Sequence, residues 1–264
     1  MHKININDNK IRTDLIIDKE ISKNNYKIID KSNNLKVLRN TKNKIHYTTI
    51  FYNDITDKDN FKNVEKVFVK ELNKYIKKTN NETILIVGLG NNKSTPDSLG
   101  PNTIDNVLVT RYLFKEKKIE EGYSNVSAFN PNVMGNTGIE TSKIIKSLIK
   151  EIKATKVIIV DSLKTNNMNR LGKTIQITDQ GIFPGSGINN NRKEISKKTV
   201  GCDVIAIGIP TVLDIKSLVS EIDENENYIV TPTNIDFLIL KLSLLLSNGL
   251  NISLHKNFIR QNNI

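Results

Sequence analysis

The stretch that decides the fold is TILIVGLGNNKSTPDSLGP, Thr83–Pro101. Its first five residues are apolar or β-branched without interruption, which is typical of a strand buried on both faces. A glycine turn follows and leads into a helical segment. Such a turn between a strand and a helix is typical of a phosphate-binding loop. Here the turn holds an acid, Asp97, where a phosphate would require backbone amides and a lysine.

The same alternation of strand and helix patterns continues along the chain. Between the strands, Ile145, Leu148, Ile149 and Ile152 lie on one face of a helix. We expect a capping box at Thr137 and Glu140 before this helix, and a helix start at Thr231–Pro232 near the C-terminus. Further strands are predicted at VSAF (126–129), KVIIV (156–160), TIQIT (174–178) and DVIAIGI (203–209). The pattern predicts an α/β, three-layer sandwich with a mostly parallel central sheet.

The segment before Thr83 has a different pattern. NYKIID, the turn KSNN and LKVLRN predict a β-hairpin, KIHYTTIFY predicts another strand, and an amphipathic helix follows. We interpret residues 15–80 as an N-terminal β/α elaboration of the same sheet. Residues 15–264 then form a single domain, preceded by an arm of residues 1–14.

Composition narrows the classes of function. The 264 residues are 38% hydrophobic and 25% charged, as in an ordinary globular protein. The net charge of +11 comes from lysines scattered along the chain without a motif, so we expect no direct nucleic-acid binding. Cys202 is the only cysteine, which favours a reducing compartment. The N-terminus has no signal-peptide pattern, and the apolar run Leu238–Leu246 is interrupted by Lys241 and too short for a bilayer. These features predict a cytoplasmic protein without a membrane partner.

Two acids are predicted at the carboxyl ends of strands, where ligands gather in open α/β sheets. Asp97 lies in the loop after the first core strand, and Asp161 directly ends the strand KVIIV. A third loop, Asp179–Glu194, follows TIQIT, and we expect it to cover the same edge. Its glycines and Pro184 indicate a tight, irregular backbone.

Other kinds of site find little support in the sequence. There is no Walker A run, and Gly88 and Gly90 supply only the first half of a dinucleotide fingerprint. The three histidines lie near the chain ends or in the β elaboration, which leaves no core histidine for a catalytic triad. Cys202 opens a buried strand and is interpreted as a small core residue. No His/Cys cluster is present for zinc, so we expect neither a metal nor a cofactor.

A carboxylate pair remains. Two aspartates in one cleft do not ionise equally, so one acts as a general acid while the other acts as a general base. That is sufficient to activate water against an amide. The alternative is that Asp97 caps a helix and Asp161 holds a neighbouring loop amide.

Several blocks of the sequence resemble the spore germination protease family, in the family's order. They are GLGNNKSTPDSLGP, NPNVMGNTGIETS, VDSL, TIQITDQGIFPGSGINNNRKEIS, VIAIGIPTVLD, YIVTPTNID and NGLNISLH, and the N-terminal IRTDL is similar to the family's RTDLA. The resemblance implies a fold similar to hydrogenase maturation proteases. It also implies an atypical aspartic endopeptidase that initiates degradation of small acid-soluble spore proteins at germination, in the spore core.

The resemblance carries residue roles with it. The two aspartates of the family correspond to Asp97 and Asp161, and the glycine loop corresponds to Pro184, Gly185, Ser186 and Gly187. Members are zymogens that remove a short propeptide, which implies cleavage between Asp14 and Leu15 here. The resemblance also implies a homo-oligomer, which in the family is a tetramer.

This chain departs from the family at three places. Phe183 replaces a histidine before the glycine loop, and only a short link joins PTVLD to YIVTP where relatives have a long insert. The segment between IRTDL and the first core strand is also short and matches the family only loosely. Two other functions stay open: a hydrogenase-maturation-type protease and a catalytically silent spore binding protein.

Overall fold

The structure is a computed structural model that describes Leu15 and residues 27–32, 35–76, 82–184, 192–215 and 228–258. Its strands are β1 (Lys27–Ser32), β2 (Leu35–Lys42), β3 (Ile45–Tyr52), β4 (Thr83–Gly88), β5 (Asn125–Phe129), β6 (Lys156–Thr165), β7 (Thr174–Thr178), β8 (Asp203–Asp214) and β9 (Ile229–Val230). Its helices are α1 (Lys58–Ile76), α2 (Leu99–Ile104), α3 (Arg111–Glu116), α4 (Met134–Thr137), α5 (Thr141–Ile152), α6 (Lys197–Val200) and α7 (Ile235–Leu254). Thr95–Asp97 and Met168–Arg170 are single 3₁₀ turns.

The nine strands of the described residues form one mixed sheet, in the order β1-β2-β3-β7-β8-β6-β4-β5, with β9 paired to the end of β8. The four strands β5, β4, β6 and β8 are parallel to one another. β7, β3, β2 and β1 continue the sheet in antiparallel pairs. The predicted parallel core is therefore confirmed, and the predicted N-terminal hairpin and strand extend the same sheet.

Helices cover both faces of the sheet, which makes three layers. Alternate residues of each central strand face opposite sides. In β4, for example, Ile84 and Ile86 belong to one core and Leu85 and Val87 to the other. The first core is closed by α1, α2 and α7, and the second by α5 and α6. Burial on both faces explains why these strands are continuously apolar in sequence.

Two central strands are longer than predicted. β6 continues past Val160 to Thr165, and β8 continues past Ile209 to Asp214. Both continue because they pair with each other beyond the end of β4, whose last partner on β6 is Val160. These extensions form one wall of the site described below.

The two predicted helix starts are wrong. Gly138, at φ +68°, ends α4, and α5 then begins after Glu140 without a side-chain cap. α7 begins only after Asn234, three residues beyond Thr231. In both places a turn that the sequence pattern does not reveal delays the helix.

The apolar run Leu238–Leu246 is part of a longer helix, α7, which by length and composition alone is the one described helix that could cross a membrane. It is longer than the apolar run because Ser247, Ser253 and Asn251 continue it as buried polar residues. Within the protein, 67% of its most apolar stretch is buried, and it packs on α1 and α2. α7 is therefore a core helix of this fold.

Candidate active site

A cavity of about 370 Å³ lies at the carboxyl edge of the parallel strands. Its walls come from the loop after β4, from the extended ends of β6 and β8, and from the two ends of the loop between β7 and α6. Both predicted aspartates, Asp97 and Asp161, line it. The structure thus brings together the two acids that the sequence places 64 residues apart (161 − 97).

Asp161 lies on β6, one residue beyond the last pair between β6 and β4. The prediction that Asp161 ends its strand is wrong, because β6 continues along β8 beyond it. Opposite it on β8 is Gly208, where a Cβ would lie 2.5 Å from the Leu163 side chain. Asp161 is only 7% exposed, and by strand alternation it shares a face with Ile159 and Leu163 of the second core.

Asp97 ends the 3₁₀ turn after β4 and is partly buried. The turn folds back so that Asn91 donates its backbone N–H to the Asp97 carbonyl at 3.0 Å. The residue that precedes α2 is Ser98, and α2 has no side-chain cap. The alternative interpretation of Asp97 as a helix cap is therefore wrong.

Two glycines permit this loop to fold so tightly. Gly90 adopts φ +123°, and a Cβ there would lie 1.9 Å from the Asp97 carbonyl oxygen. Gly100 sits where α2 meets the sheet, and a Cβ there would lie 2.2 Å from the Leu89 carbonyl oxygen and 2.6 Å from that of Val160. The glycines of GLG and LGP thus allow backbone to approach backbone, rather than backbone to approach a phosphate.

Both carboxyl groups hold their protons more tightly than usual. Burial raises the pKa of Asp97 from 3.8 to about 6, against the opposing effects of the Asn91 N–H and the Arg192 charge. Burial raises the pKa of Asp161 well above its ordinary value, and the negative charge of Asp97 raises it further. The Ser162 N–H and Arg192 act in the opposite direction, but they do not offset burial. The two groups titrate as a coupled pair in which protonation of one favours ionisation of the other.

Two cations also line the cavity, and the sequence analysis assigned neither. Lys164 is buried and forms an ion pair with Asp214 at 2.6 Å. Arg192 is partly buried, and its charge acts on both aspartates. Among the described residues, neither Asp97 nor Asp161 forms an ion pair closer than 4 Å. Strand alternation places residues three apart on opposite faces, so the spacing of Lys164 from Asp161 gave no sequence signal for it.

The loop between β7 and α6 reaches the cavity only in part. Because β7 is antiparallel to β8, Asp179 lies at the opposite edge of the sheet, contrary to expectation. The chain then returns through the second core at Ile182, and Phe183 and Pro184 line the cavity. Phe183, which stands where the family resemblance implies a histidine, is therefore part of the cavity wall. Gly185, Ser186 and Gly187 lie outside the described residues.

The histidine and cysteine predictions have mixed outcomes. Cys202 is buried, as expected, and burial raises the pKa of its thiol to about 11. The expectation of no core histidine is wrong, because His255 is fully buried at the end of α7. There it accepts a hydrogen bond from the Ser124 N–H and approaches the Leu108 carbonyl, away from the cavity. In the described part of the chain, no three His, Cys, Asp or Glu side chains cluster as a metal site would require.

Of the two residues at the predicted propeptide cleavage site, the structure describes only Leu15. Leu15 is 5% exposed and belongs to the second core, together with Leu89, Leu163 and Ile182 of the cavity wall. Leu15 is therefore a core residue rather than part of an exposed arm. Asp14 lies outside the described residues.

Fold and site define an α/β protein with a buried carboxyl pair at the carboxyl edge of its parallel strands. A family model described as germination protease matches residues 2–224, so the chain belongs to the germination protease family. Similar proteins include the germination protease of Geobacillus sp. (strain WCH70), 48% identical over 163 residues that cover 60% of this chain and 44% of the relative. That of Priestia megaterium is 47% identical over 187 residues, 68% of this chain and 50% of the relative.

The chain spans about half the length of the curated relatives it matches. Among solved structures, it is similar to a [NiFe] hydrogenase maturation protease, HycI, from Thermococcus kodakarensis, with a TM-score of 0.39 and 16% identity. That match covers 68% of this chain and 98% of the other. At this TM-score the likeness carries no conclusion about function.

Proposed function

We propose that this protein is an endopeptidase of spore germination and that Asp97 and Asp161 hydrolyse the peptide bond by acid–base catalysis. The observation that carries the proposal is the pair of carboxyl groups with raised pKa values in one cavity. Membership of the germination protease family supports a protease role.

The difference between the two sites suggests a role for each acid. Asp161 is the more deeply buried, so it retains the shared proton and donates it to the leaving amide nitrogen. Asp97, with a pKa of about 6, is ionised at neutral pH and takes a proton from the attacking water. After hydrolysis, which consumes one water, the proton lies on Asp97 and Asp161 is ionised. Transfer of that proton from Asp97 to Asp161, directly or through solvent water, restores the pair. Arg192 stabilises the single negative charge that the pair retains.

The proposed substrates are small acid-soluble spore proteins, cut in the spore core, which is a cytoplasmic compartment. The family resemblance supports this substrate class. We also propose a homo-oligomer, as the family's tetramers suggest.

We further propose that the protein is a zymogen that cleaves itself between Asp14 and Leu15, which separates an arm of residues 1–14 from the peptidase domain. The placement of Leu15 supports this, because Leu15 shares a hydrophobic cluster with the cavity wall. Mass spectrometry after incubation at mildly acidic pH tests it. A new N-terminus at Leu15 is expected in the native protein and not in Asp97→Asn. An active enzyme with an intact Met1 would contradict self-processing.

Substitution of each aspartate tests the function. Asp97→Asn and Asp161→Asn keep the side-chain volume but remove acid–base capacity, and each is expected to lower cleavage of a small acid-soluble spore protein by about 10³-fold or more. Asp105→Asn is the matched control, because Asp105 is exposed at the end of α2. EDTA is expected to leave the rate unchanged. Full activity in either mutant would remove that residue from the mechanism, and no cleavage by the native protein would favour a silent binding protein.

A further inference from the structure

The end of β8 contains an irregularity beside the cavity. Leu163 of β6 is paired with Pro210 of β8, but Lys164 is paired with Val212, so Thr211 is an extra residue with no partner on β6. This is a β-bulge, which redirects a side chain and is over-represented next to active sites. The bulge turns Thr211 toward the cavity that it lines.

The Thr211 hydroxyl has a specific acceptor. It donates a hydrogen bond of 2.6 Å to the carbonyl oxygen of Pro96, and its side chain is 0% exposed. Pro96 is the residue immediately before Asp97. The bond therefore joins β8 to the turn that holds Asp97, across the end of β6 and its Asp161.

The turn's other backbone bonds are local. Asp97 donates its N–H to the Ser94 carbonyl at 2.9 Å, and Ser98 donates to the Thr95 carbonyl at 3.1 Å. Such bonds preserve the shape of the turn, but they do not fix its position relative to β6. In the described chain, the bond from Thr211 is the hydrogen bond that ties the backbone of Thr95–Asp97 to a strand of the sheet.

We propose that Thr211 is a positioning residue that holds Asp97 against Asp161 through the Pro96 carbonyl. The hydroxyl does not take part in proton transfer, because its hydrogen is committed to a backbone oxygen. Its effect is on the distance between the two carboxyl groups. This inference rests on the proposed function for its kinetic readout, but its titration readout is independent of catalysis.

Release of the turn has a predictable electrostatic result. The negative charge of Asp97 contributes to the raised pKa of Asp161. If the turn moves away, that repulsion weakens and the pKa of Asp161 falls. The other charges that face the pair are Arg192 and Lys164, with Lys164 held by Asp214. None of these three belongs to the turn, so their influence on Asp161 does not depend on the tether.

Thr211→Val tests the proposal because valine has nearly the same shape without the hydroxyl. We expect kcat to fall about 10- to 100-fold with little change in KM, since a displacement of about 1 Å at a reacting group costs up to this much. The alkaline limb of the pH–rate profile should move to lower pH. Thr211→Ser retains the hydroxyl and should restore both the rate and the profile.

Thr103→Val is the matched control. Thr103 is also fully buried, and its hydroxyl donates to the Leu99 carbonyl at 2.7 Å, but within α2. It should lose similar thermal stability while its pH–rate profile stays as in the native protein. An unchanged profile in Thr211→Val, or a loss in Thr211→Ser as large as in the valine variant, would overturn the proposal.

Carbon-13 NMR titration of the aspartate carboxyls separates this inference from the proposed function. In Thr211→Val, the highest apparent pKa of the pair should be lower than in the native protein, whether or not either protein cleaves a substrate. Should the valine variant not fold, Thr211→Cys serves instead, because a thiol is a weaker donor of similar size. An unchanged titration in the folded variant would overturn the tether, whereas a native protein that cleaves nothing would overturn only the proposed activity.

Discussion

Two cavities lie at opposite edges of the sheet, and they differ in whether their acidic side chains are paired with cations. The cavity at the carboxyl edge contains Asp97 and Asp161. Among the described residues, neither of these carboxylates has a cationic partner within 4 Å. The second, of about 510 Å³, lies at the amino ends of β6 and β8, and the charges in and around it are largely held in ion pairs. The pairs there are Arg39 and Lys74 with Glu71, Lys156 with Glu82, and Lys197 with Asp203, and Asp179 accepts a hydrogen bond from the His46 backbone N–H.

The comparison distinguishes a cavity whose charges stabilise the fold from one whose acids are available for a reaction. In the second cavity, each buried carboxylate is neutralised by a cation, which lets it stay ionised without a large cost. In the first cavity, backbone contacts position the acids, and burial raises their pKa values so that they ionise less readily. An arrangement that raises the energy of its own ionised state is expected at a functional site. These differences support the first cavity as the proposed site of chemistry and the second as a paired structural cluster.

If backbone geometry places Asp97, its disruption should have the largest effect. Gly90→Ala puts a Cβ against the Asp97 carbonyl in a conformation at φ +123° that side chains rarely adopt. We expect a loss of about 3 kcal/mol in the free energy of unfolding, together with a loss of peptidase activity. Chemical denaturation monitored by circular dichroism measures the first, and a cleavage assay the second.

Gly138→Ala is the control for this substitution. Gly138 also has a positive φ, +68°, but no atom lies within 4 Å of a Cβ built there. It should lose only about 1 kcal/mol and keep its activity, because it suffers the backbone strain without the clash. Equal losses in the two variants would mean that contact with Asp97 does not matter.

If ion pairs hold the second cavity, Glu71→Gln should be the next most damaging change. Glu71 is 1% exposed and accepts two hydrogen bonds of 2.6 Å from Arg39 and one of 2.8 Å from Lys74. Both cations are partly exposed, so we expect a cost of about 2 to 3 kcal/mol, below that of a fully buried pair. Urea denaturation at pH 7 measures it.

Activity distinguishes the two cavities in this variant. Once corrected for the fraction folded, cleavage by Glu71→Gln should be native. Asp203→Asn removes the exposed pair with Lys197 in the same cavity and should change stability by no measurable amount. A specific loss of activity in Glu71→Gln would join the second cavity to the chemistry and break the distinction.

Much of this architecture is predictable from the sequence. The runs around Ile84–Val87, Val157–Val160 and Val204–Ile209 are apolar on both faces, so they can only be central strands, and the sequence has an acid shortly after two of them. Asp97 and Asp161 follow from that logic. The direction of β7 could not be predicted from the sequence. The predicted strands end at Val160 and begin again at Thr174, and the residues between them are enough for a parallel crossover. Only the extension of β6 to Thr165 in the structure leaves the short link 166–173.

Other features depend on contacts that no local pattern encodes. The bulge at Thr211 arises from register with β6, and Arg192 reaches the cavity from a loop of otherwise ordinary polar residues. His255 is buried because it lies at the end of α7, where it contacts Leu108 and Ser124. In each case the partner is distant in sequence, so tertiary packing determines the outcome.

The most direct test of the central claim is the pH dependence of stability in Asp97→Asn. In the native protein, the raised pKa of Asp97 means that the folded state binds more protons than the unfolded state between pH 4 and 6. Stability therefore falls as pH rises through this range, and the loss is complete above it. Asparagine does not titrate, and it can still accept the Asn91 N–H.

We predict that Asp97→Asn is more stable than the native protein at pH 7, by about 2 kcal/mol after allowance for partial exposure. The advantage should shrink as the pH falls and vanish below about pH 4, where the native carboxyl is protonated in both states. The same variant should be inactive. An Asp97→Asn protein that is less stable than the native one at pH 7 would contradict the account, because it would show that Asp97 is a paired structural charge like those of the second cavity.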